Sequence, residues 1–204
     1  MSSGNKRLGI LLSGRGSNFL AIADSIDSGK LEGAEIALVI SNRAEAPGLA
    51  AARDRGLQAV VIEAHGRKRA EHDAEIIATL KKHEVDLVCL AGYMRLLSLQ
   101  FVQAFPRRIL NIHPSLLPAF PGLDAQRQAL EYGVQYSGCT VHFVDEELDH
   151  GVIVLQRVVA VLPGDDEAAL SARILVQEHL AYPEAIRRVI SGEYEIIGRR
   201  YEAR

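Results

Sequence analysis

Four unbroken apolar segments, separated by segments of helical periodicity, constrain the first half of the chain more than any other feature. The apolar segments are residues 7–12, 36–40, 59–62 and 87–90, and the helical segments between them are 19–26, 48–55 and 69–82. Apolar runs without alternation are typical of strands that are covered on both faces. Repeated strand and helix imply right-handed crossovers, so we predict a Rossmann-like, doubly wound α/β sheet with parallel strands in the N-terminal half.

The pattern changes after a further apolar strand at 109–112. A short helix is predicted at 125–132, strands at 140–144 and 152–161, and a last short strand at 194–197. Asp165 or Asp166 is suited to cap a long helix that passes through Pro183. We therefore expect antiparallel strands towards the C-terminus.

Composition narrows the class of partner. With 204 residues, 48% of them hydrophobic, the chain can bury one large core, and we expect one domain. A net charge of -3 and the absence of Trp disfavour nucleic acid, so small molecules are the expected partners. Cys89 and Cys139 form no disulfide framework and are expected to be buried thiols. No signal peptide or membrane span is recognisable, which predicts a cytoplasmic protein.

Residues 110–118 are the segment in which the sequence predicts the catalytic groups. Asn111 and His113 stand two apart in a strand, so both side chains project from the same side. Pro114 and Pro118 stiffen the turn that follows. The rival titrating group is His142, which no motif surrounds and which we expect to be a satisfied core or rim residue.

The glycine turn at 13–18 opens the first helix, where backbone donors and the helix dipole favour an anion. A dinucleotide site would need glycine where Phe19 stands and an acid after the second strand, and both are missing. A monophosphate fits this turn better. The alternative is that Ser17 or Asn18 simply caps the helix and the glycines only allow the turn.

An acidic stretch at 145–149 holds four carboxylates in five positions. Such runs are usually solvated loops. For Asp149 we expect more, because Leu148 can anchor the loop inwards and the turn after it can aim the carboxylate. A metal site made of Asp145, Asp149 and His150 is disfavoured, since the spacing matches neither a calcium loop nor a zinc signature.

Several of these segments together resemble one enzyme family across nearly the whole chain. They are residues 13–18, 90–98, 110–118, 121–122 and 141–149. The chain is similar to the phosphoribosylglycinamide formyltransferases, folate-dependent enzymes of purine synthesis. The Asn-x-His-Pro-Ser-Leu-Leu-Pro stretch with a downstream Leu-Asp-x-Gly is shared by formyl-tetrahydrofolate transferases and hydrolases generally, whereas the glycine turn and the chain length favour this family.

The resemblance implies a role for each matching residue. It implies a catalytic trio of Asn111, His113 and Asp149, a phosphate turn at Gly16, Ser17 and Asn18, and nucleotide contacts from Arg69 near the phosphate and Glu178 at the ribose. It implies folate contacts from Met94, Arg95, Leu96, Leu97, Asn111, Val144, Asp145 and Asp149, with the backbone of 145–149. It further implies 10-formyltetrahydrofolate as co-substrate, no metal, a monomer or homodimer, and one domain over 1–204, with a phosphate-binding half at about 1–105 and a folate-binding, catalytic half at about 106–204. Two departures are His150, where the family often has glycine, and a short C-terminal tail, which we expect to touch neither site.

The trio suits formyl transfer to an amine through a tetrahedral oxyanion. The amide of Asn111 would donate to the oxyanion, a contact worth about 3 kcal/mol in a preorganised site. His113 would act as a cationic donor and proton source. Asp149 would favour the charged imidazole and relay a proton from the amine, directly or through water.

Other functions remain open at this level. A formyltetrahydrofolate deformylase would use the same trio with water, but usually carries a domain before this fold, and a transfer-RNA formyltransferase carries one after it. A sugar-nucleotide formyltransferase would share the trio without a monophosphate turn. From a different class, a non-catalytic nucleotide-binding module would require the three reactive groups to coincide with the turn by chance.

Overall fold

The computed structural model describes residues 4–204, and contacts divide the chain into two compact units, up to Leu110 and from Asn111 to Arg204. The elements of the first unit are β1 (Lys6–Leu12), α1 (Ser17–Asp27), β2 (Ala34–Ser41), α2 (Pro47–Asp54), β3 (Ala59–Val61), α3 (Arg69–Lys82), β4 (Leu87–Leu90) and α4 (Leu99–Ala104). Strand β5 (Ile109–His113) crosses the boundary. The elements of the second unit are α5 (Ala125–Tyr132), β6 (Tyr136–Phe143), β7 (Ile153–Ala160), α6 (Glu167–Ser191), β8 (Tyr194–Ile197) and β9 (Arg200–Ala203). The expectation of one domain stays a prediction.

The first unit contains the expected parallel sheet. Its strands lie in the order β3-β2-β1-β4, and each neighbouring pair is parallel. Strand β1 is central and almost wholly buried, with Leu8 and the run from Ile10 to Leu12 fully inaccessible. This burial explains the unbroken apolar run, because a strand covered on both faces exposes no position for a polar residue.

The second unit contains the expected antiparallel strands. Its strands lie in the order β6-β7-β9-β8, with antiparallel pairs β6–β7 and β8–β9 and one parallel bridge between β7 and β9. Asp166 caps α6 by accepting a hydrogen bond from the amide of Ala169, and the helix continues through Pro183. The predicted fold class is therefore confirmed.

Two strands differ from the sequence expectation. Strand β6 begins at Tyr136, four residues before the predicted start at Thr140, because exposed Tyr136, buried Ser137 and Gly138 form no apolar run. Strand β9 was not predicted, since Arg200 and Glu202 alternate with less polar residues in a short hairpin strand. A search for apolar runs detects neither pattern.

The two cysteines are buried free thiols, as expected. Burial, which is the largest effect, raises the pKa of Cys139 to about 12, and the charge of Glu178 adds to the rise. This thiol is inert at neutral pH, because the thiolate is the reactive form.

No helix within residues 4–204 has the length and apolarity needed to cross a bilayer.

Candidate active site

The side chains of Asn111 and His113 extend from β5 towards one polar cluster in the second unit. Nδ2 of Asn111 lies 3.2 Å from Nε2 of His142. Nδ1 of His113 lies 3.3 Å from a carboxylate oxygen of Asp149, and the other oxygen of Asp149 lies 3.7 Å from Nε2 of His142. The structure thus gathers the three predicted catalytic residues around a fourth, His142.

His142 is buried with a partner at each ring nitrogen, as expected of a core residue, but its place beside the trio was not predicted. Its Nδ1 lies 2.8 Å from the carbonyl oxygen of Phe143, which can only accept, so Nδ1 carries the proton. Nε2 is then an acceptor in the neutral ring, and it accepts from the amide of Asn111. Burial lowers the pKa of His142, and the bond to Phe143 and the charge of Asp149 offset this only in part. The register shift in β6 beside this residue is visible only in the structure.

The ring of His113 has a hydrogen-bond partner at Nε2 and a carboxylate beside Nδ1. Nε2 lies 2.8 Å from the carbonyl oxygen of Phe120, so this nitrogen donates. Nδ1, the other nitrogen, faces Asp149. Since His113 is buried, with 5% of its surface exposed, this arrangement fixes the ring plane and leaves Nδ1 as the nitrogen that faces the carboxylate.

The turn after His113 is fixed by hydrogen bonds in addition to its prolines. Thr140 donates through Oγ1 to the carbonyl of Ser115 at 2.7 Å and accepts from the amide of Leu117 at 3.0 Å. Nε2 of Gln156 donates both to the carbonyl of Leu117 and to Oγ1 of Thr140, at 2.9 Å each. These bonds tie the turn at 115–117, directly after His113, to β6 and β7.

Asp149 has a left-handed backbone conformation, with φ of 50°. Its carboxylate accepts a hydrogen bond of 2.8 Å from the amide of Gly122, and its side chain is 9% exposed. The next turn brings Gly151 so close to β6 that a Cβ there would lie 1.8 Å from the carbonyl oxygen of Phe143. The expected turn thus aims the carboxylate, but the expected anchor is wrong, because Leu148 is 56% exposed.

The rest of the acidic loop is braced by Asp145. One of its oxygens accepts from the amide of Glu147 at 3.0 Å, and the other lies 2.9 Å from Nδ1 of His150. Val144 and Asp145 are partly exposed.

Within residues 4–204, no set of three or more His, Cys, Asp or Glu side chains is arranged to hold a metal ion.

The glycine turn belongs to the first unit and leads into α1 without a side-chain capping bond. Gly16, not Ser17 or Asn18, is the N-cap of α1, with φ of 74° and no side-chain capping bond. The prediction that Ser17 or Asn18 caps the helix is therefore wrong, whereas the φ of Gly16 also fits the alternative in which the glycines only allow the turn. A Cβ at Gly16 would lie 3.1 Å from Leu12 and from Gly48, so this turn tolerates no side chain there. No acid lies in the first turn of α1.

The 94–97 segment, predicted to bind folate, is tied to the same turn. The hydroxyl of Ser13 accepts from the amide of Met94 at 2.8 Å and donates to Asn42 at 2.6 Å. The far end of the segment is held by buried Asp73, which accepts from the amide of Ser98 at 2.6 Å. Met94 and Leu96 are 66% and 52% exposed, whereas Arg95 and Leu97 are half-buried.

The two residues predicted to contact the nucleotide lie on different helices. Arg69 is the exposed first residue of α3, and Glu178 is buried on α6, 7% exposed. A buried carboxylate on a helix is unusual unless it has a partner or a function. The roles of both residues remain predictions.

Comparison with known proteins shows which family this chain is similar to. The model of the formyl transferase family matches residues 6–186. A crystal structure of glycinamide ribonucleotide transformylase 1 from Symbiobacterium toebii is 50% identical, with a TM-score of 0.96 over 100% of this chain and 95% of that one.

Curated relatives agree with the structural match. Phosphoribosylglycinamide formyltransferase of Escherichia coli strain K12 is 45% identical over 87% of this chain and 84% of that protein. A trifunctional purine biosynthetic protein of Drosophila pseudoobscura pseudoobscura is 48% identical over 94% of this chain, which spans only 14% of that longer protein. A family match over most of the chain, joined to an amide, two imidazoles and a carboxylate in one cluster, establishes that the chain belongs to the formyl transferase family.

Proposed function

We propose that this protein transfers the formyl group of 10-formyltetrahydrofolate to the amino group of glycinamide ribonucleotide in de novo purine biosynthesis. The observation that carries the proposal is the carboxylate of Asp149, 3.3 Å from Nδ1 of His113, in a chain 50% identical to a glycinamide ribonucleotide transformylase. A purine enzyme of this kind works in the cytoplasm, on small molecules.

The reaction needs two proton movements and one charged intermediate. The amine nitrogen bonds to the formyl carbon, and the carbonyl electrons move to oxygen. The carbonyl then re-forms as the bond from carbon to N10 of the folate breaks. The amine loses one proton and N10 gains one, so no redox partner is required.

Asn111 stabilises the oxyanion in this scheme. Its amide nitrogen carries two hydrogens, and one of them is directed to Nε2 of His142. The bond to His142 fixes which end of the amide is the donor, so the second hydrogen is presented in a set orientation. A donor that is oriented before the reaction needs no reorganisation when the charge develops.

Asp149 and His113 carry the proton. Nε2 of His113 already donates to Phe120, so we assign proton transfer to Nδ1, which faces Asp149. The carboxylate receives the proton of the attacking amine, directly or through water, and the imidazole supplies a proton towards N10.

The remaining predicted residues bind the two substrates. Gly16, Ser17 and Asn18 bind the phosphate of the nucleotide, with Arg69 near the phosphate and Glu178 at the ribose. Met94, Arg95, Leu96, Leu97, Val144 and Asp145 contact the folate. The backbone donors at the start of α1, which lacks a capping side chain, support the phosphate assignment.

Replacing His113 with asparagine tests the proposed chemistry. We expect kcat to fall by at least about 10²-fold while both substrates still bind, because acid-base catalysis is lost. The assay follows formyl-folate absorbance with and without glycinamide ribonucleotide. Unchanged turnover in the variant would remove His113 from the mechanism. With the wild-type protein, formyl loss without the amine would identify a deformylase, and no loss at all would favour a binding module.

Replacing Ser17 with aspartate tests the phosphate turn. Position 17 begins α1 and has room for a side chain, whereas any side chain at Gly16 is crowded and strained. An acid at a helix start does not destabilise the helix, but it repels a bound phosphate, so we expect the KM for glycinamide ribonucleotide to rise at least about tenfold. Ser17→Asn is the control, because it has the size of aspartate without the charge, and its KM should rise less than that of Ser17→Asp. An unchanged KM in Ser17→Asp would overturn the phosphate assignment.

A further inference from the structure

The left-handed backbone at Asp149 is one that aspartate adopts more readily than most residues but still at a cost, so contacts from outside help to hold it. Such a conformation persists only where surrounding contacts determine it. One contact is the amide of Gly122, which donates to the carboxylate. A second contact is made to the next residue, His150, by the C-terminal hairpin of β8 and β9.

The hairpin is anchored to two other elements of the second unit. Tyr194 stacks on Tyr201, with ring centroids 4.7 Å apart, and on Phe143 at the end of β6, at 6.2 Å. The hydroxyl of Tyr201 donates to the carbonyl of Arg188 in the last turn of α6, at 3.1 Å. The aromatic stack and the hydroxyl bond leave the hairpin little freedom to move relative to β6 and α6.

Arg199 lies at the tip of this hairpin, directly after Gly198, whose φ is 62°. Its Nη2 donates to the carbonyl oxygen of His150. Its Nη1 lies 2.7 Å from Nε2 and 3.2 Å from Nδ1 of the His150 ring. A planar guanidinium presents several donors at once, so one side chain holds both the backbone and the ring of His150.

The contact continues from His150 into the acidic loop. The ring of His150 is 2.9 Å from the carboxylate of Asp145, which accepts from the amide of Glu147. Arg199 therefore contacts one end of the 145–150 loop directly, at His150, and the other end, Asp145, through the ring of His150. The C-terminal tail, which the sequence predicts to touch neither site, thus contacts His150, the residue beside Asp149.

We propose that the C-terminal hairpin positions the active site, with Arg199 fixing Asp149 through its hold on His150. The inference rests on the proposed function, in which Asp149 carries a proton. It makes Arg199 a positioning residue, distant in sequence from every predicted motif. A misplacement of about 1 Å can cost a catalytic group about 10²-fold in rate, so loss of the contact is expected to lower turnover.

Replacing Arg199 with alanine is the direct test. We expect kcat to fall about tenfold, with the KM for glycinamide ribonucleotide changed by less than about twofold. The thermal midpoint stays near the wild-type value, because an exposed contact contributes little to global stability. The control is Arg200→Ala. Its side chain lies 3.5 Å from Glu202 in the same hairpin and is 74% exposed, and its removal should change neither constant. Equal kinetics in the two variants would overturn the proposal.

A double variant tests whether Arg199 acts through His150. If it does, Arg199→Ala combined with His150→Ala loses less activity than the product of the two single losses. Independent, multiplicative losses would contradict the route through His150.

Hydrogen exchange separates this proposal from the proposed function. In Arg199→Ala the amides of Glu147 and Gly122, which donate to the loop carboxylates, should exchange faster than in the wild type and in Arg200→Ala. Unchanged exchange would overturn the positioning role. If the wild-type protein transferred no formyl group, the proposed function would fail, yet the exchange result would still decide whether the hairpin holds the loop.

Discussion

Asp149→Asn is expected to lower kcat by about 10²- to 10⁴-fold, the range over which a positioned acid or base contributes to a reaction. The substitution retains the shape of the side chain. Asparagine tolerates the left-handed backbone at this position, and its carbonyl oxygen can still accept from the amide of Gly122. The negative charge that faces Nδ1 of His113 is lost, and with it the acceptor for the proton of the amine.

The measurement that checks this prediction is a pair of experiments on the same variant. Steady-state kinetics gives kcat, and calorimetric titration gives the affinity for a folate that lacks the formyl group. We expect the affinity to stay within about threefold of the wild-type value, because the loop backbone is unchanged. Glu131→Gln, which neutralises an exposed carboxylate at the end of α5, should leave both quantities unchanged. Weaker folate binding with normal turnover would give Asp149 a binding role.

The sequence predicts best where one local rule decides the structure. The predicted bounds of α3 and α5 agree with the structure, since apolar spacing and end signals coincide there. The parallel strands follow from continuous apolar runs. The trio is found together in the second unit because Asn111 and His113 share one face of β5 and the turn at 149–151 directs the carboxylate back towards them.

The missed features depend on contacts between distant residues. Nothing in the local sequence around His142 indicates that Asn111, 31 positions earlier, donates to it. The exposure of Leu148 and the bond from Arg199 to His150 likewise follow from how the hairpin and loop pack, not from composition. A single-sequence pattern carries no information on such pairs. Short β9, with its alternating charges, has too weak a signal to be predicted.

Asn111→Ala is expected to lower kcat by about 10²- to 10³-fold, the loss seen when one oxyanion donor is removed from a preorganised site. The substrates still bind, because the amide acts mainly on charge that develops during the reaction. His142→Ala provides the informative comparison. Without the acceptor at Nε2 the amide of Asn111 is free to rotate, so part of its orientation is lost and kcat falls by a smaller factor.

The two variants separate orientation from donation when they are combined. Since His142 is neutral, with its pKa lowered chiefly by burial, its effect in this cluster works through the bond to Asn111 rather than through a charge. The double variant should therefore lose no more turnover than Asn111→Ala alone, a non-additivity typical of residues that act as a unit. Steady-state kinetics of the three variants checks this. A higher KM for formyl-folate with unchanged kcat in Asn111→Ala would mean that the amide binds the ground state and the transition state equally, and the oxyanion would then need another donor.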